Sequence, residues 1–200
     1  MNSLNDSGAV FRYHRDMIDM HGSESSFALG WRSSHDQQLR FEVLAEIADL
    51  NGKTVLDAGC GYADLYAFLS GRFSLAHYYG IEQISELLDQ AEKRYGYLQN
   101  TTFISRNFLN GKLPLANYVL ASGSLNYGSS DPGYIFKTIS TLFENCTIGL
   151  GFNLLCSVPG NGLLVAYDPE LILVHCRTLS DNVVVKTGYA TEDFTVFIFR

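Results

Sequence analysis

The chain has 200 residues, a mass of 22.2 kDa and a formal charge of −7, from 14 basic and 21 acidic side chains. Apolar residues make up 46% and charged residues 18%, a ratio that excludes a disordered chain and predicts one packed domain. The acidic balance argues against a protein that reads duplex nucleic acid, because such proteins present a cationic face to phosphate.

No secretory leader is expected, because the chain opens without a basic start followed by an apolar run. Two uncharged stretches, residues 113–130 and 145–167, are interrupted by Pro, Gly, Asn and Ser, so neither is expected to span a membrane. The four cysteines form no C-x-x-C pair, which argues against a zinc site and favours reduced thiols. We expect a cytoplasmic protein without a metal, membrane or nucleic-acid partner, and its oligomeric state stays open.

The N-terminal quarter of the chain differs in pattern from the rest. Residues 1–50 are predicted to form a helical cap or lid, with helices over 10–20 and 35–50. Residues 51–200 then alternate short apolar runs with amphipathic segments, which predicts a single α/β domain.

Seven strands are predicted in this domain. Asp131-Pro132 and Asp168-Pro169 each predict a helix start, with Asp as N-cap and Pro as the first helical residue. The pattern is typical of a doubly wound, mostly parallel sheet that ends in an antiparallel hairpin, and its ligands bind at the carboxyl ends of the strands. The predicted strands are residues 53–58, 77–81, 101–105, 118–121, 148–155, 182–189 and 194–200, and the best-defined helices are 63–70, 84–95 and 169–179.

The first strand leads directly into a glycine pair. Gly59 and Gly61 allow a tight turn and a close approach of the backbone to a ligand. Glu82 ends the second strand, where its carboxylate can accept hydrogen bonds from a ribose diol. These residues could be an ordinary turn and a solvated carboxylate, but loop, strand context and spacing together favour an adenosine-containing ligand.

An acidic residue, Asp57, stands before the glycine pair. The run VLDAGCG over residues 55–61 resembles the first motif of class I, Rossmann-like methyltransferases that use S-adenosyl-L-methionine. Ala63 stands where that family often has a third glycine. Asp64 occupies the third-glycine position of a dinucleotide fold, which disfavours a nicotinamide-dependent oxidoreductase. More narrowly, the chain resembles an uncharacterised group of small bacterial methyltransferases, over residues 30–44, 121–127, 151–155, 167–170 and 193–200.

The resemblance implies a role for each cofactor-side residue. Asp57 would orient the amino group of the cofactor, Glu82 would hold its ribose, and Arg40 would pair with its carboxylate or form a surface salt bridge instead. Asn107, where many family members have Asp, would accept a hydrogen bond from the adenine amino group. The implied cofactor set is Asp57, Gly59, Cys60, Gly61, Glu82, Gln83, Asn107, Phe108, Ser122 and Arg40.

The acceptor side is less defined. The loop after the fourth strand lacks the Asp/Asn-Pro-Pro-Tyr/Phe motif of enzymes that methylate DNA bases. Candidate acceptor contacts are Trp31, Tyr127 and Asn153, although Tyr127 could be a packed aromatic and Asn153 a structural hydrogen-bonder. No catalytic residue is predicted, because a base is needed only when the acceptor arrives protonated.

The resulting hypothesis is an S-adenosylmethionine-dependent methyltransferase that acts on a small molecule or an exposed protein side chain. The alternative is a non-catalytic S-adenosylmethionine-binding protein with a regulatory or interaction role. Transfer of another group from a related cofactor, such as an aminopropyl group, is a minor variant.

Overall fold

A computed structural model describes residues 3–22, 26–31, 33–109, 111–158 and 162–200. Parts of the predicted lid, residues 1–2, 23–25 and 32, lie outside these ranges. The helices are α1 (Ser3–His21), α2 (Ser34–Ala45), α3 (Asp64–Ser70), α4 (Ser85–Tyr95), α5 (Tyr134–Glu144) and α6 (Pro169–Leu179), with a 3₁₀ turn at Ser26–Leu29. The strands are β1 (Thr54–Ala58), β2 (His77–Glu82), β3 (Thr101–Ser105), β4 (Ala116–Ala121), β5 (Cys146–Leu155), β6 (Val183–Lys186) and β7 (Asp193–Phe199).

The strands form one seven-stranded sheet in the order β3-β2-β1-β4-β5-β7-β6. Neighbours from β3 to β5 pair in parallel, whereas β7 is antiparallel to both β5 and β6. The predicted doubly wound sheet with an antiparallel C-terminal hairpin is confirmed. Strand order reverses between β1 and β4, which places the switch point at the glycine loop.

Helices cover both faces of the sheet. Val55 packs in one core with side chains of α2, α3 and α4, and Leu56 packs in the other with α5 and α6. Tyr118 and Val119 divide between the two cores in the same way. Because successive side chains of a strand point to opposite faces, burial on both faces explains why these strands are continuous apolar runs.

Two identical dipeptides fold differently. Asp168 caps α6 as predicted: its side chain accepts from the Glu170 amide at 2.9 Å, and Pro169 is the first helical residue. The prediction for Asp131 was wrong, because α5 begins at Tyr134 and its N-cap, Gly133, makes no side-chain cap. Asp131 instead accepts from the Gly133 amide at 2.9 Å, so it closes a turn before the helix.

Other boundaries differ by a few residues. The helix predicted over 35–50 ends at Ala45, and Ile47 and Leu50, which follow it, are buried outside the helix. Strand β6 ends at Lys186, short of the predicted residue 189. In the described ranges, none of the helices has the length and apolar character needed to cross a bilayer.

Candidate functional site

A cavity of about 860 Å³ opens at the carboxyl ends of β1, β2 and β4. This volume lies in the range typical of small-molecule sites, roughly 300–1,000 Å³. Of the predicted site residues, only Asn153 is absent from its walls. The others line it: Trp31, Arg40, Asp57, Gly59, Cys60, Gly61, Glu82, Gln83, Asn107, Phe108, Ser122 and Tyr127.

Side chains from two other segments of the chain cover the glycine loop after β1. Gly59 has φ +83°, and a Cβ there would stand 2.3 Å from Cβ of Ser124, in the loop after β4. Gly61 has φ +52°, and a Cβ there would stand 2.8 Å from Leu29. Side chains at either position would be strained and would collide, so glycine is required twice. Ala63 also has a positive φ, 59°, which explains why glycine suits that position in the family it resembles.

Glu82 is buried on the cavity wall, with 7% of its surface exposed. Its Oε2 accepts from the Gly61 amide at 3.0 Å, and its Oε1 accepts from the amides of Gln83 and Ile84 at 2.7 and 2.9 Å. Burial raises the pKa of Glu82, and the three amides oppose that shift by stabilising the carboxylate. The carboxylate has about four acceptor sites, so about one is left for a ligand hydroxyl.

Asp57 lies deeper at the end of β1 and is 2% exposed. The Tyr78 hydroxyl donates to its Oδ2 at 2.6 Å. Burial raises the pKa of Asp57 to about 7; the Tyr78 hydrogen bond lowers it, and the Glu82 and Asp64 carboxylates raise it further. A cationic group placed in the cavity would therefore meet a carboxyl group that gives up its proton near neutral pH.

The loop after β3 supplies an amide pair. The Asn107 side-chain amide donates to Gln83 Oε1 at 3.0 Å, and its carbonyl oxygen accepts from the Leu109 amide at 2.9 Å. The second lone pair of that oxygen is the one that an adenine amino group would use. Phe108, beside it, is buried and offers an apolar wall.

Arg40 of α2 forms an ion pair with Asp193 of β7, and both residues line the cavity. The Arg40 Nε and Nη2 lie 2.7 and 2.6 Å from Oδ2 of Asp193, with side-chain exposures of 15% and 6% for Arg40 and Asp193. The salt bridge considered for Arg40 therefore exists, but it is largely buried rather than on the surface. The Arg40 guanidinium also stands 4.8 Å from the Trp31 ring, which itself covers Gly123. Asp193 Oδ1 has no hydrogen-bond partner among the described residues.

Hydrogen bonds to the neighbouring strands β5 and β1 fix the loop after β4. Asn153 Oδ1 accepts from the Gly123 amide at 2.9 Å, and Ser124 donates to the Ala58 carbonyl at 2.5 Å. Asn153 thus makes a structural hydrogen bond through its Oδ1, and it is not among the residues that line the cavity. Ser122 lines the cavity, and its buried Oγ has no partner in the described part of the chain. This hydroxyl fits a site for a polar ligand.

Sequence reasoning missed His14. Its Nε2 lies 2.7 Å from the Tyr127 hydroxyl, 113 positions along the chain, and both residues line the cavity. His14 is buried, with 4% of its surface exposed. The spacing Val10, His14, Ile18 was the available signal, since it places His14 on the apolar stripe of the predicted helix.

No protein-family model matches the chain, and no curated protein matches it. Among solved structures, the DhpI–SAH complex shares 12% identity, covers 98% of this chain and 96% of its own, and has a TM-score of 0.72. The N-methyltransferase NodS from Bradyrhizobium japonicum WM9, in complex with S-adenosyl-L-homocysteine (SAH), shares 12%, covers 96% and 98%, and has a TM-score of 0.71.

A third match is magnesium protoporphyrin IX methyltransferase from Synechocystis PCC 6803 with bound SAH, at 16% identity, covering 82% of this chain and 83% of its own, with a TM-score of 0.67. The fold of this chain is therefore the class I, S-adenosylmethionine-dependent methyltransferase fold. At these identities the similarity shows the fold alone, because one fold supports many activities.

Proposed function

We propose that the protein transfers a methyl group from S-adenosyl-L-methionine. The observation that carries this proposal is the buried Glu82 carboxylate, fixed by three amides beside a positive-φ glycine loop at the switch point of the sheet. Because S-adenosylmethionine is consumed in each turnover, it is a substrate of the reaction as well as its cofactor.

The ribose and adenine lie, in this proposal, between the ends of β2 and β3. Glu82 accepts a hydrogen bond from a ribose hydroxyl, and the Gln83–Asn107 pair and Phe108 border the adenine. Gly59, Cys60 and Gly61 pass under the methionine portion, where a side chain at either glycine would displace a neighbouring residue.

The methionine end lies against Asp57, Ser122 and Arg40. The ammonium group of S-adenosylmethionine favours the ionised form of Asp57. The Ser122 hydroxyl, which has no partner among the described residues, supplies one more hydrogen bond. The Arg40 guanidinium pairs with the carboxylate of S-adenosylmethionine. Its N–H groups are then shared between that carboxylate and Asp193.

The N-terminal residues 1–50 act as the lid. Val10 of α1 packs on Tyr62, Ile84 and Leu87, so α1 covers the start of α4 beside Glu82. Trp31 reaches the loop after β4 from the same segment. When this segment closes over S-adenosylmethionine, it excludes water and aligns the two reactants. These are the main requirements that methyl transfer places on the protein.

The acceptor is a small molecule or an exposed protein side chain, and it enters beside Trp31 and Tyr127. We propose a cytoplasmic location, because all four cysteines are free thiols and the cytosol keeps thiols reduced.

Calorimetric titration of the purified protein with S-adenosylmethionine, SAH and NAD tests the proposal. We expect saturable binding of the first two and none of NAD. Tritium transfer from [methyl-³H]S-adenosylmethionine into a panel of small molecules and peptides then separates an enzyme from a non-catalytic binder. Binding of NAD without SAH would contradict the proposal, and SAH binding without transfer to any acceptor would favour the regulatory alternative.

A further inference from the structure

The hydrogen bond between His14 and Tyr127 joins two distant parts of the chain inside the cavity. His14 belongs to α1, and Tyr127 belongs to the loop that follows β4. Neither residue is needed to explain the glycine loop or the ribose carboxylate. His14 is buried and Tyr127 is half-buried, and both face the cavity. Imidazole and phenol groups can each take and give a proton, so the pair has the chemistry that proton transfer needs.

The backbone around Tyr127 is fixed on both sides. Tyr127 forms an antiparallel bridge with Leu164, the Gly128 amide donates to the Leu163 carbonyl at 2.9 Å, and the Val165 amide donates to the Asn126 carbonyl at 2.8 Å. Ser124 of the loop after β4 also covers Gly59, so this loop lies directly over the glycine loop. The phenol is thus held at one position in the cavity rather than carried on a free loop.

The environment keeps the phenol protonated. Burial raises the pKa of Tyr127, and Tyr13 and the Glu82 carboxylate raise it further. A neutral hydroxyl can donate its proton to His14 while a lone pair accepts a proton from a third group.

We propose that Tyr127 and His14 form a proton relay for an acceptor whose nucleophilic oxygen or nitrogen arrives protonated. This proposal rests on the methyl-transfer function above and narrows its substrate to hydroxyl or amine acceptors, as opposed to thiolates and other anions.

The lone pair of the acceptor attacks the methyl carbon, and the carbon–sulfur bond breaks with its electron pair going to sulfur, which leaves neutral SAH. The acceptor's O–H or N–H bond breaks, and its proton passes to the Tyr127 oxygen. The proton of Tyr127 passes to His14 Nε2, and the imidazolium then releases a proton to solvent. Tyr127 is the catalytic residue, and His14 acts through it.

Nitrogen and carbon NMR of the labelled full-length protein, saturated with S-adenosylmethionine or with SAH, tests the relay. The two ligands differ by a methyl group and one positive charge. If the pair faces the reacting sulfur, the sulfonium lowers the pKa of His14 in the first complex by roughly one to two units relative to the second. His21, exposed on the same helix, is the internal control and should not shift.

The same spectra report which ring nitrogen of neutral His14 carries the proton. The relay requires a proton on Nδ1 and an unprotonated Nε2 that accepts from Tyr127, and Tyr127→Phe should shift the Nε2 resonance without loss of SAH binding. Equal His14 pKa values in the two complexes, or a proton on Nε2, would overturn the relay alone. Absence of saturable binding of either ligand would contradict the methyl-transfer function itself.

Discussion

Replacement of Glu82 by Gln tests the ribose assignment with little change in volume. Three amides occupy the Glu82 carboxylate, so about one acceptor site is left for a ribose hydroxyl. A single hydrogen bond to a charged group contributes about 1.5–3 kcal/mol. At about 1.4 kcal/mol per tenfold, Glu82→Gln should weaken SAH binding roughly 10- to 150-fold.

The assay is calorimetric titration with SAH, with urea unfolding on the same samples. Gln can still accept from Gln83 and Ile84, but its amide group faces the Gly61 N–H, so a moderate loss of stability is also expected. Glu92→Gln, an exposed position on α4, is the matched control and should leave both quantities unchanged. A folded Glu82→Gln protein whose SAH affinity stays within about threefold of wild type would refute the ribose assignment.

Two further predictions concern Asp57 and the glycine loop. Because the pKa of Asp57 is raised to about 7, the free protein holds that proton below neutral pH, and an ammonium ligand must displace it. The affinity for S-adenosylmethionine should therefore rise by up to about tenfold per pH unit as the pH approaches 7 and then level off. Calorimetry should show that binding releases a proton. An equally steep pH profile in Asp57→Asn would contradict the role of the Asp57 proton. Gly59→Ala combines a φ of +83° with a collision with Ser124, whereas Gly52→Ala has a φ of +66° in open space. Urea unfolding should show that the first substitution lowers the free energy of unfolding by at least about 2 kcal/mol and the second by about 1 kcal/mol. Equal losses would contradict the inference that the close approach of Ser124 requires glycine at position 59.

The sheet was predictable because its signals are local. Strands buried on both faces are continuous apolar runs, and a glycine pair directly after such a run marks the ligand edge. Asp57, Glu82 and Asn107 each end or follow a strand, so predicting the strands also placed these side chains at one edge.

Features that depend on tertiary packing were not predictable. Asp131-Pro132 and Asp168-Pro169 carry the same helix-start signal, yet in the first the side chain closes a turn on Gly133 and pairs with Lys137 at 2.5 Å. No local pattern says whether Arg40 reaches a ligand or Asp193, which is 153 positions away.

The position of α1 shows the same limit. Its apolar stripe predicts a packed helix, but only the folded chain brings that stripe onto Ile84 and Leu87 and His14 onto Tyr127. The site therefore divides into a donor half that follows from strand ends and an acceptor half that depends on long-range packing.

A crystal structure of the complex with SAH tests the central claim most directly. We predict the ribose within hydrogen-bonding distance of Glu82, roughly 2.5–3.0 Å, the adenine beside Asn107, and the sulfur directed toward Tyr127. SAH bound with its ribose away from Glu82, or outside the cavity at the ends of β1 and β4, would contradict the account.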